Sequence, residues 1–258
     1  MPVSFAEIAS YTDELLDSKN TPDYANALNG VQLEHRGPVR GIAAAVDFST
    51  AAIRGTIEQN ANLLIVHHGM FWSGLERLQD AALHRMRMLL DNDIAVYSSH
   101  LPLDRHAILG NNVLLAEEFG LAVGRPFANH YGVSIGVAGD ADLETAELAE
   151  RVQEFSQSHG GSLRTSRITT RRRTHRWGIC SGAGASVDIL NEAVNSGVDT
   201  LIVGEGPHWT AVFAEEHNLA ILYAGHYATE TVGVRALARH LGEKFNLPWS
   251  FVAAPTGL

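Results

Sequence analysis

The segment LLIVHHG, residues 63–69, places two adjacent histidines, His67 and His68, at the end of an apolar run. Such a run predicts a buried strand, along which neighbouring side chains point to opposite faces. Two imidazoles arranged in this way are poorly placed to chelate one ion, but each could bind one of two ions about 3.5–4 Å apart. The alternative interpretation is that they are polar residues in a turn, so the other strand ends decide between the two.

Histidines and carboxylates also follow three further predicted strands: His100 and Asp104 after IAVYSS, Glu205 and His208 after TLIVG, and His226 and Glu230 after LAILYAG. In α/β sheets, ligands bind beyond the carboxyl ends of the strands. Imidazole and carboxylate groups without thiolates favour Zn, Mn, Fe or Co over Ca or Mg. The pattern therefore predicts a transition-metal site at these strand ends.

The segment GHYATE, residues 225–230, predicts a helix that begins near Thr229. His226 would lie just before this helix and Glu230 in its first turn, and a spacing of four residues brings both within reach of one site. The alternatives are that Glu230 only complements the helix dipole and that Thr229 is an ordinary N-cap.

Strand and helix patterns alternate along the whole chain, beginning with a buried strand at 41–49 and a helix at 50–61. Strands separated by single helices predict parallel βαβ units, so we expect an α/β fold with mostly parallel sheets flanked by helices. Gly, Pro and Asn cluster in AVGRPFANHYG, residues 122–132, which favours a domain boundary there. The predicted domains are 1–124 and 125–258.

The 258-residue chain has a formal net charge of −10, which argues against a general polyanion-binding surface. Cys180 is the only cysteine, which excludes an intramolecular disulfide and an all-cysteine metal site. No apolar stretch approaches the roughly 18 residues of a membrane span. The N-terminus has the pattern of an amphipathic helix rather than of a secretory signal. We therefore expect a cytoplasmic protein with no membrane association.

Six arginines lie between residues 164 and 176, in the segment RTSRITTRRRTHR. One interpretation is a contact with phosphate or nucleic acid. The other is a solvated strand and turn, or a rim whose arginines pair with acidic neighbours in an oligomer. The segment has no interleaved aromatic residues on which bases could stack, which favours the second interpretation. We therefore do not expect specific nucleic-acid binding.

Several motifs together resemble the Nif-three-like dinuclear metal-centre family: NGVQLE (29–34), AVD (45–47), LLIVHHGMFW (63–72), SSHLPLDRH…GNN (98–112), LIVGE (201–205) and GHYATET (225–231). The resemblance runs through nearly the whole chain. It implies two α/β domains that face a cleft holding two divalent metal ions, and assembly as a homo-hexameric ring. The ligands that it implies are His67, His68, Asp104, His226 and Glu230.

Three functions are compatible with these residues. The first is a metal-dependent hydrolase that cleaves a phosphate ester or C–N bond in a small nucleotide-like substrate, as the resemblance to GTP cyclohydrolase type 2 homologues implies. In such an enzyme His100 or Glu205 could be the general base, or could instead orient a metal ligand. The second is a non-catalytic metal-binding or metal-delivery protein, and the third is a nucleic-acid-associated hexameric ring. A hydrolase requires an open coordination position, whereas a storage site should be closed.

Overall fold

The computed structural model describes residues 2–258 and divides the chain into two compact units. Unit 1 runs to Leu103 and includes Gly233–Ala254. Unit 2 consists of Asp104–Val232 and Pro255–Leu258. These units are defined by packing within the chain. The domain boundary near residue 124 stays a prediction.

Unit 1 is built on a five-stranded sheet with the order β1-β4-β3-β2-β11. The pairings among β2, β3, β4 and β11 are parallel, and β1 is antiparallel to β4. The strands are β1 Gly30–Leu33, β2 Ile42–Asp47, β3 Leu63–His68, β4 Ala95–Ser98 and β11 Trp249–Phe251. The helices of this unit are α1 Phe5–Leu15, α2 Thr50–Glu58 and α3 Asp80–Asp91, with a short 3-10 helix at Ser18–Asn20.

The central strands of this sheet are buried on both faces. Every residue of β3 is buried, and so are the first five residues of β2, because their apolar side chains alternate between two covered faces. Polar side chains occur only where the strands end. In the register of β2 against β3, Asp47 lies opposite His68. The fold therefore brings the last residues of two neighbouring strands to one edge of the sheet.

Unit 2 contains a six-stranded sheet with the order β5-β6-β8-β9-β10-β7. Its strands are β5 Arg125–His130, β6 Val133–Glu144, β7 Arg164–Thr165, β8 Arg173–Cys180, β9 Thr200–Val203 and β10 Ala220–Tyr223. Its helices are α5 Asn111–Glu118, α6 Thr145–Ser158, α7 Val187–Asn195 and α8 Trp209–Glu216. Two helices pass from one unit to the other along the chain: α4 Leu101–Asp104 and α9 His226–Phe245.

The predicted α/β class with two helix-flanked sheets is confirmed, but the second sheet is mixed. Only the β8–β9 and β9–β10 pairings are parallel, and the other three are antiparallel. The Gly- and Pro-containing segment at 122–132 forms strand β5 and a hairpin turn. Tyr131 and Gly132 take positive φ angles of 48° and 88° in that turn, which reverses the chain directly into β6.

Each unit has its own apolar core. In unit 1, Ile53 of α2 and Leu89 of α3 pack against the buried side chains of β2 to β4. In unit 2, the core includes Trp177 together with Phe119 and Phe155, whose rings make an edge-to-face contact at 5.4 Å between centroids. Within residues 2–258, no helix has the length and apolarity needed to cross a lipid bilayer.

Candidate functional site

His67 and His68, the last two residues of β3, are both buried, with 0% and 7% of their surface exposed. Their ring centroids lie 4.9 Å apart and the ring planes make an angle of 58°. A buried imidazole needs hydrogen-bond partners, because loss of its hydration is otherwise not compensated. Both histidines have such partners within unit 1.

The Nδ1 atom of each histidine donates to an oxygen. His68 Nδ1 donates to Oδ1 of Asp47 at 2.8 Å, and His67 Nδ1 donates to the backbone carbonyl of Ser99 at 2.9 Å. These acceptors select the tautomer with hydrogen on Nδ1, so each ring would bind a metal ion through Nε2. A carboxylate or carbonyl behind the imidazole is the usual partner of a metal-binding histidine.

His100, after the end of β4, is held in the same manner by residues of a preceding loop. Its Nδ1 donates to Oδ1 of Asp23 at 2.8 Å, and its backbone N–H donates to Asn29 at 2.8 Å. Asp23 also accepts from Asn29 Nδ2 at 2.8 Å and from the Leu101 N–H at 3.0 Å. Burial alone would raise the pKa of Asp23, but these hydrogen bonds and the His100 ring outweigh burial and hold its pKa below the ordinary value.

The three imidazoles form one cluster. One ring nitrogen from each of His67, His68 and His100 lies within 4.8 Å of the others. The indole ring of Trp72 packs on this cluster, with its centroid 4.6 Å from both His68 and His100. Three buried imidazoles, each with an oxygen acceptor at Nδ1, fit a transition-metal ion by their chemistry and by the proximity of their ring nitrogens.

In unit 2, His226 and Glu230 lie in the first turns of α9, which begins at His226. His226 Nε2 donates to Glu230 Oε1 at 3.2 Å, and His226 Nδ1 donates to Glu205 Oε1 at 2.8 Å. Burial lowers the pKa of His226, but the hydrogen bonds and charges of Glu230 and Glu205 outweigh burial and raise it to about 10. Without a metal ion this ring is therefore an imidazolium bound between two carboxylates.

The predicted start of this helix near Thr229 is wrong. Because α9 begins three residues earlier, Thr229 is inside the helix and is not its N-cap. Its hydroxyl instead lies 3.0 Å from the Gly225 carbonyl and accepts the Gly182 N–H at 3.0 Å. Thr229 therefore ties the loop after β8 to the first turn of α9.

Glu230 is 2% exposed and lies against the backbone of that loop. Gly182 has a φ of +60°, and a Cβ atom there would collide with Oε1 of Glu230. The left-handed backbone and the missing side chain at Gly182 together make room for the carboxylate. A carboxylate that only complements a helix dipole would be expected on the surface, so its burial beside His226 indicates a different role.

Asp104, at the end of α4, is also buried, with 6% of its surface exposed. Its Oδ1 accepts from Asn111 Nδ2 at 2.7 Å and from Ser181 Oγ at 3.3 Å. Burial raises the pKa of the Cys180 thiol, and the charges of Asp104 and Glu230 raise it further. Both carboxylates therefore lie in the same part of unit 2, near the end of β8.

The structure thus collects the residues singled out by the sequence into two groups. His67, His68 and His100 form the group in unit 1, and Asp104, Glu205, His226 and Glu230 form the group in unit 2. Sequence reasoning assigned no role to four of the residues that hold them, which are Asp23, Asn29, Asp47 and Ser181, although Asn29 and Asp47 belong to the NGVQLE and AVD motifs. Asp47 ends strand β2, so the rule that identified the other strand ends also applied to it, whereas Asp23 lies in an irregular loop without such a signal.

Relatives of known name match the chain over nearly all of its length. A protein of Deinococcus radiodurans named GTP cyclohydrolase 1 type 2 homolog is 36% identical over 98% of this chain and 94% of its own. A protein of the same name from Pyrococcus horikoshii is 37% identical over 98% of both chains.

Solved structures share the fold. Protein ybgI, a structural-genomics target of unknown function, superposes with a TM-score of 0.88 at 31% identity and covers 100% of both chains. TTHA1606 from Thermus thermophilus gives a TM-score of 0.82 at 31% identity, over 99% of this chain and 100% of its own. Residues 3–256 match the Duf34/NIF3 (NGG1p interacting factor 3) family. The chain therefore belongs to the Duf34/NIF3 family.

Proposed function

We propose that this protein is a metal-dependent hydrolase with a dinuclear centre of divalent Zn, Mn, Fe or Co. The observation that carries the proposal is the cluster of three buried imidazoles, each of which donates from Nδ1 to an oxygen acceptor. Burying this much polar surface costs free energy that a bound ion would offset. The relatives named GTP cyclohydrolase 1 type 2 homolog support hydrolysis of a nucleotide-like substrate.

His67, His68, Asp104, His226 and Glu230 are the proposed ligands. Divalent ions in such a centre polarise a substrate oxygen or a C–N bond and activate water near neutral pH. Asp47 and the Ser99 carbonyl would orient the rings of His68 and His67. The carboxylates offset the charge of two cations, which three imidazoles alone would not do.

The proposed catalytic bases are Glu205 and His100. The side chain of Glu205 is 48% exposed and lies 2.8 Å from His226, so it can exchange protons with solvent beside a proposed ligand. His100 is buried and bonded to Asp23, which suits a third imidazole ligand or an orienting role as well as a base. Substitution separates the roles, because a ligand variant loses metal and a base variant retains it.

A second candidate is a metal-binding or metal-delivery protein without turnover. The observation that favours it is the burial of four of the five proposed ligands, all except His226, because a closed site is typical of structural or storage metals. We also propose a homo-hexamer that acts on a small molecule and does not bind nucleic acid specifically. In unit 2, Arg167, Arg173 and Arg176 form ion pairs with acidic neighbours, which leaves fewer cations for phosphate contacts.

A turnover assay tests hydrolysis against the second candidate. Metal-free and metal-reloaded protein would be incubated with GTP and a panel of phosphate esters, and products would be followed by liquid chromatography. We expect product only with reloaded protein, and none with a Glu205→Gln variant that still holds its metal. If the reloaded and the metal-free protein both gave no more product than a buffer blank, the hydrolase proposal would be wrong. The non-catalytic candidate would then remain.

A further inference from the structure

Unit 2 contains a cavity of about 360 Å³ at the carboxyl ends of β9 and β10, next to strand β7. This volume lies in the range of small-molecule sites. The position is also the one at which α/β sheets bind ligands, beyond the ends of parallel strands. The lining side chains that matter here are Arg164, Glu205, Pro207, His208 and Tyr223.

The acidic side chain of this cavity has a bonded partner, whereas its basic side chains make no ion pair in the part of the chain that the structure describes. Glu205, the only acidic side chain in the lining, is bonded to His226. Arg164 and His208 are the basic side chains, and neither makes an ion pair with any residue between 2 and 258. In a protein with a formal net charge of −10, two uncompensated basic groups facing one cavity favour an anionic ligand.

Arg164 differs from most of the other arginines in its segment. Arg167, Arg173 and Arg176 pair with acidic side chains, and Arg172 donates to Asn218 and to the Asp199 carbonyl. Arg164 lies on β7, which pairs with β10, and this pairing sets Arg164 opposite Tyr223 at the cavity wall. The Arg-rich segment therefore supplies one cation to the cavity, while four of its other arginines bond to neighbouring residues.

The rest of the wall suits a compact organic group. Pro207 and Ala211 are apolar, and Tyr223 presents a ring whose hydroxyl is bonded to Thr210 at 2.7 Å. Gly206 also lines the cavity, and a Cβ atom there would contact Ala185, Thr210 and Tyr223. The wall thus combines an apolar surface with two basic side chains, which is the composition expected for a small molecule with one charged group.

We propose that this cavity binds the substrate, a small phosphate ester, and that Arg164 and His208 contact its phosphate group. A guanidinium group matches the geometry of a phosphate with two parallel hydrogen bonds, and an imidazole adds a third donor. The proposal rests on the hydrolase proposal in one respect, because Glu205 belongs both to the cavity wall and to the group around His226 and Glu230. A phosphate ester bound here lies beside the residues proposed to hold the metal ions.

Calorimetry with ribose 5-phosphate, and with uncharged ribose for comparison, tests this site in the purified full-length protein. Arg164→Gln is the test variant. Arg171→Gln is the matched control, because Arg171 lies in the same segment, makes no ion pair within residues 2–258 and does not line the cavity. His208→Gln is a second test variant should Arg164→Gln fold poorly. Metal content and melting temperature are measured on each preparation.

We expect ribose 5-phosphate to bind the wild type and Arg171→Gln equally, and ribose to bind neither. Arg164→Gln should bind about ten- to a hundredfold more weakly, the usual loss for a hydrogen bond to a charged group. Equal binding by wild type, Arg164→Gln and His208→Gln would overturn the proposal, as would no binding by the wild type at millimolar ligand. Arg164-dependent binding by protein that takes up no metal would support this site and contradict the hydrolase proposal, so the two failures are distinguishable.

Discussion

His68 and Asp47 end two neighbouring parallel strands, and the register that sets them opposite each other also joins His68 Nδ1 to Asp47 Oδ1 at 2.8 Å. The carboxylate fixes the tautomer and the rotation of the ring without itself being a proposed ligand. The same arrangement recurs between His100 and Asp23 at 2.8 Å. Oriented imidazoles of this type bind metal ions more tightly than imidazoles that rotate.

Asp47→Ala should weaken metal binding by about ten- to a hundredfold, the usual effect of removing a carboxylate behind a histidine ligand. Competition with a fluorescent chelator measures the affinity. Glu58→Ala is the control, because it removes an exposed carboxylate from the same unit. If Asp47→Ala bound metal as tightly as the wild type and Glu58→Ala, metal binding by His68 would not depend on its hydrogen bond to Asp47.

Glu230→Gln should lower metal content more than Glu205→Gln, because we propose Glu230 as a ligand and Glu205 as a neighbouring base. The helix should persist in both variants, since α9 extends from His226 to Phe245 and the apolar residues Val234, Leu237 and Leu241 are fully buried. Metal stoichiometry and melting temperature would be measured on the same preparations. Full metal occupancy in Glu230→Gln, with stability lowered by only about 0.3–1 kcal/mol, is instead the result for a carboxylate that complements the helix dipole.

The metal-free protein should lose stability as the pH rises from about 6.5 to about 10. The folded protein raises the pKa of His226 from 6.5 to about 10, so it binds a proton that the unfolded chain releases in this range. The stabilising contribution is complete below pH 6.5 and is lost as the pH passes through 10. Urea denaturation at several pH values should show the difference between wild type and His226→Gln shrinking over this window.

His84→Gln is the control for the loss of an imidazole, because His84 is an exposed histidine of unit 1. Metal binding requires a neutral imidazole, so addition of metal at pH 7.5 should release protons, and this release should fall in His226→Gln. A stability difference between wild type and His226→Gln that stayed constant from pH 6 to pH 10 would show that the ring is not held as an imidazolium.

The protein should form a hexamer in solution. Leu75 and Ile108 have 102% and 72% of their surface exposed, and large exposed apolar side chains favour burial between subunits. Sedimentation velocity at micromolar concentration measures the assembly. A stable monomer under these conditions would rule out the hexamer.

Much of the site could be predicted because the ends of buried strands can be recognised in the sequence. Apolar runs such as residues 63–66 identify buried strands, and the polar residues that follow them must lie at the edge of the sheet. The partners Asp23 and Asn29 could not be found in this way, since they lie in a loop whose path is set by tertiary contacts. The start of α9 was misplaced because Thr229 has the residue type of an N-cap but uses its hydroxyl inside the helix.

The order and direction of the strands were harder to predict from the sequence than the positions of the strands and helices. The strand Trp249–Phe251 lies near the end of the sequence, yet it pairs with β2 in the first sheet, a long-range contact that no local pattern encodes. The hairpin between β5 and β6 could not be predicted from the sequence, because Ala128 and Tyr131 take positive φ angles that neither residue type favours. Alternation of strands and helices therefore predicted the class, while the antiparallel pairings of the second sheet depend on turns.

The metal content of the wild-type protein tests the central claim most directly. The untagged full-length chain would be stripped of metal, reloaded separately with Zn, Mn and Fe, freed of excess ion, and measured by elemental analysis against protein concentration. The two ligand groups predict about two divalent ions per chain for at least one of these metals. A reproducible value of one ion or none for all three metals would contradict the dinuclear centre.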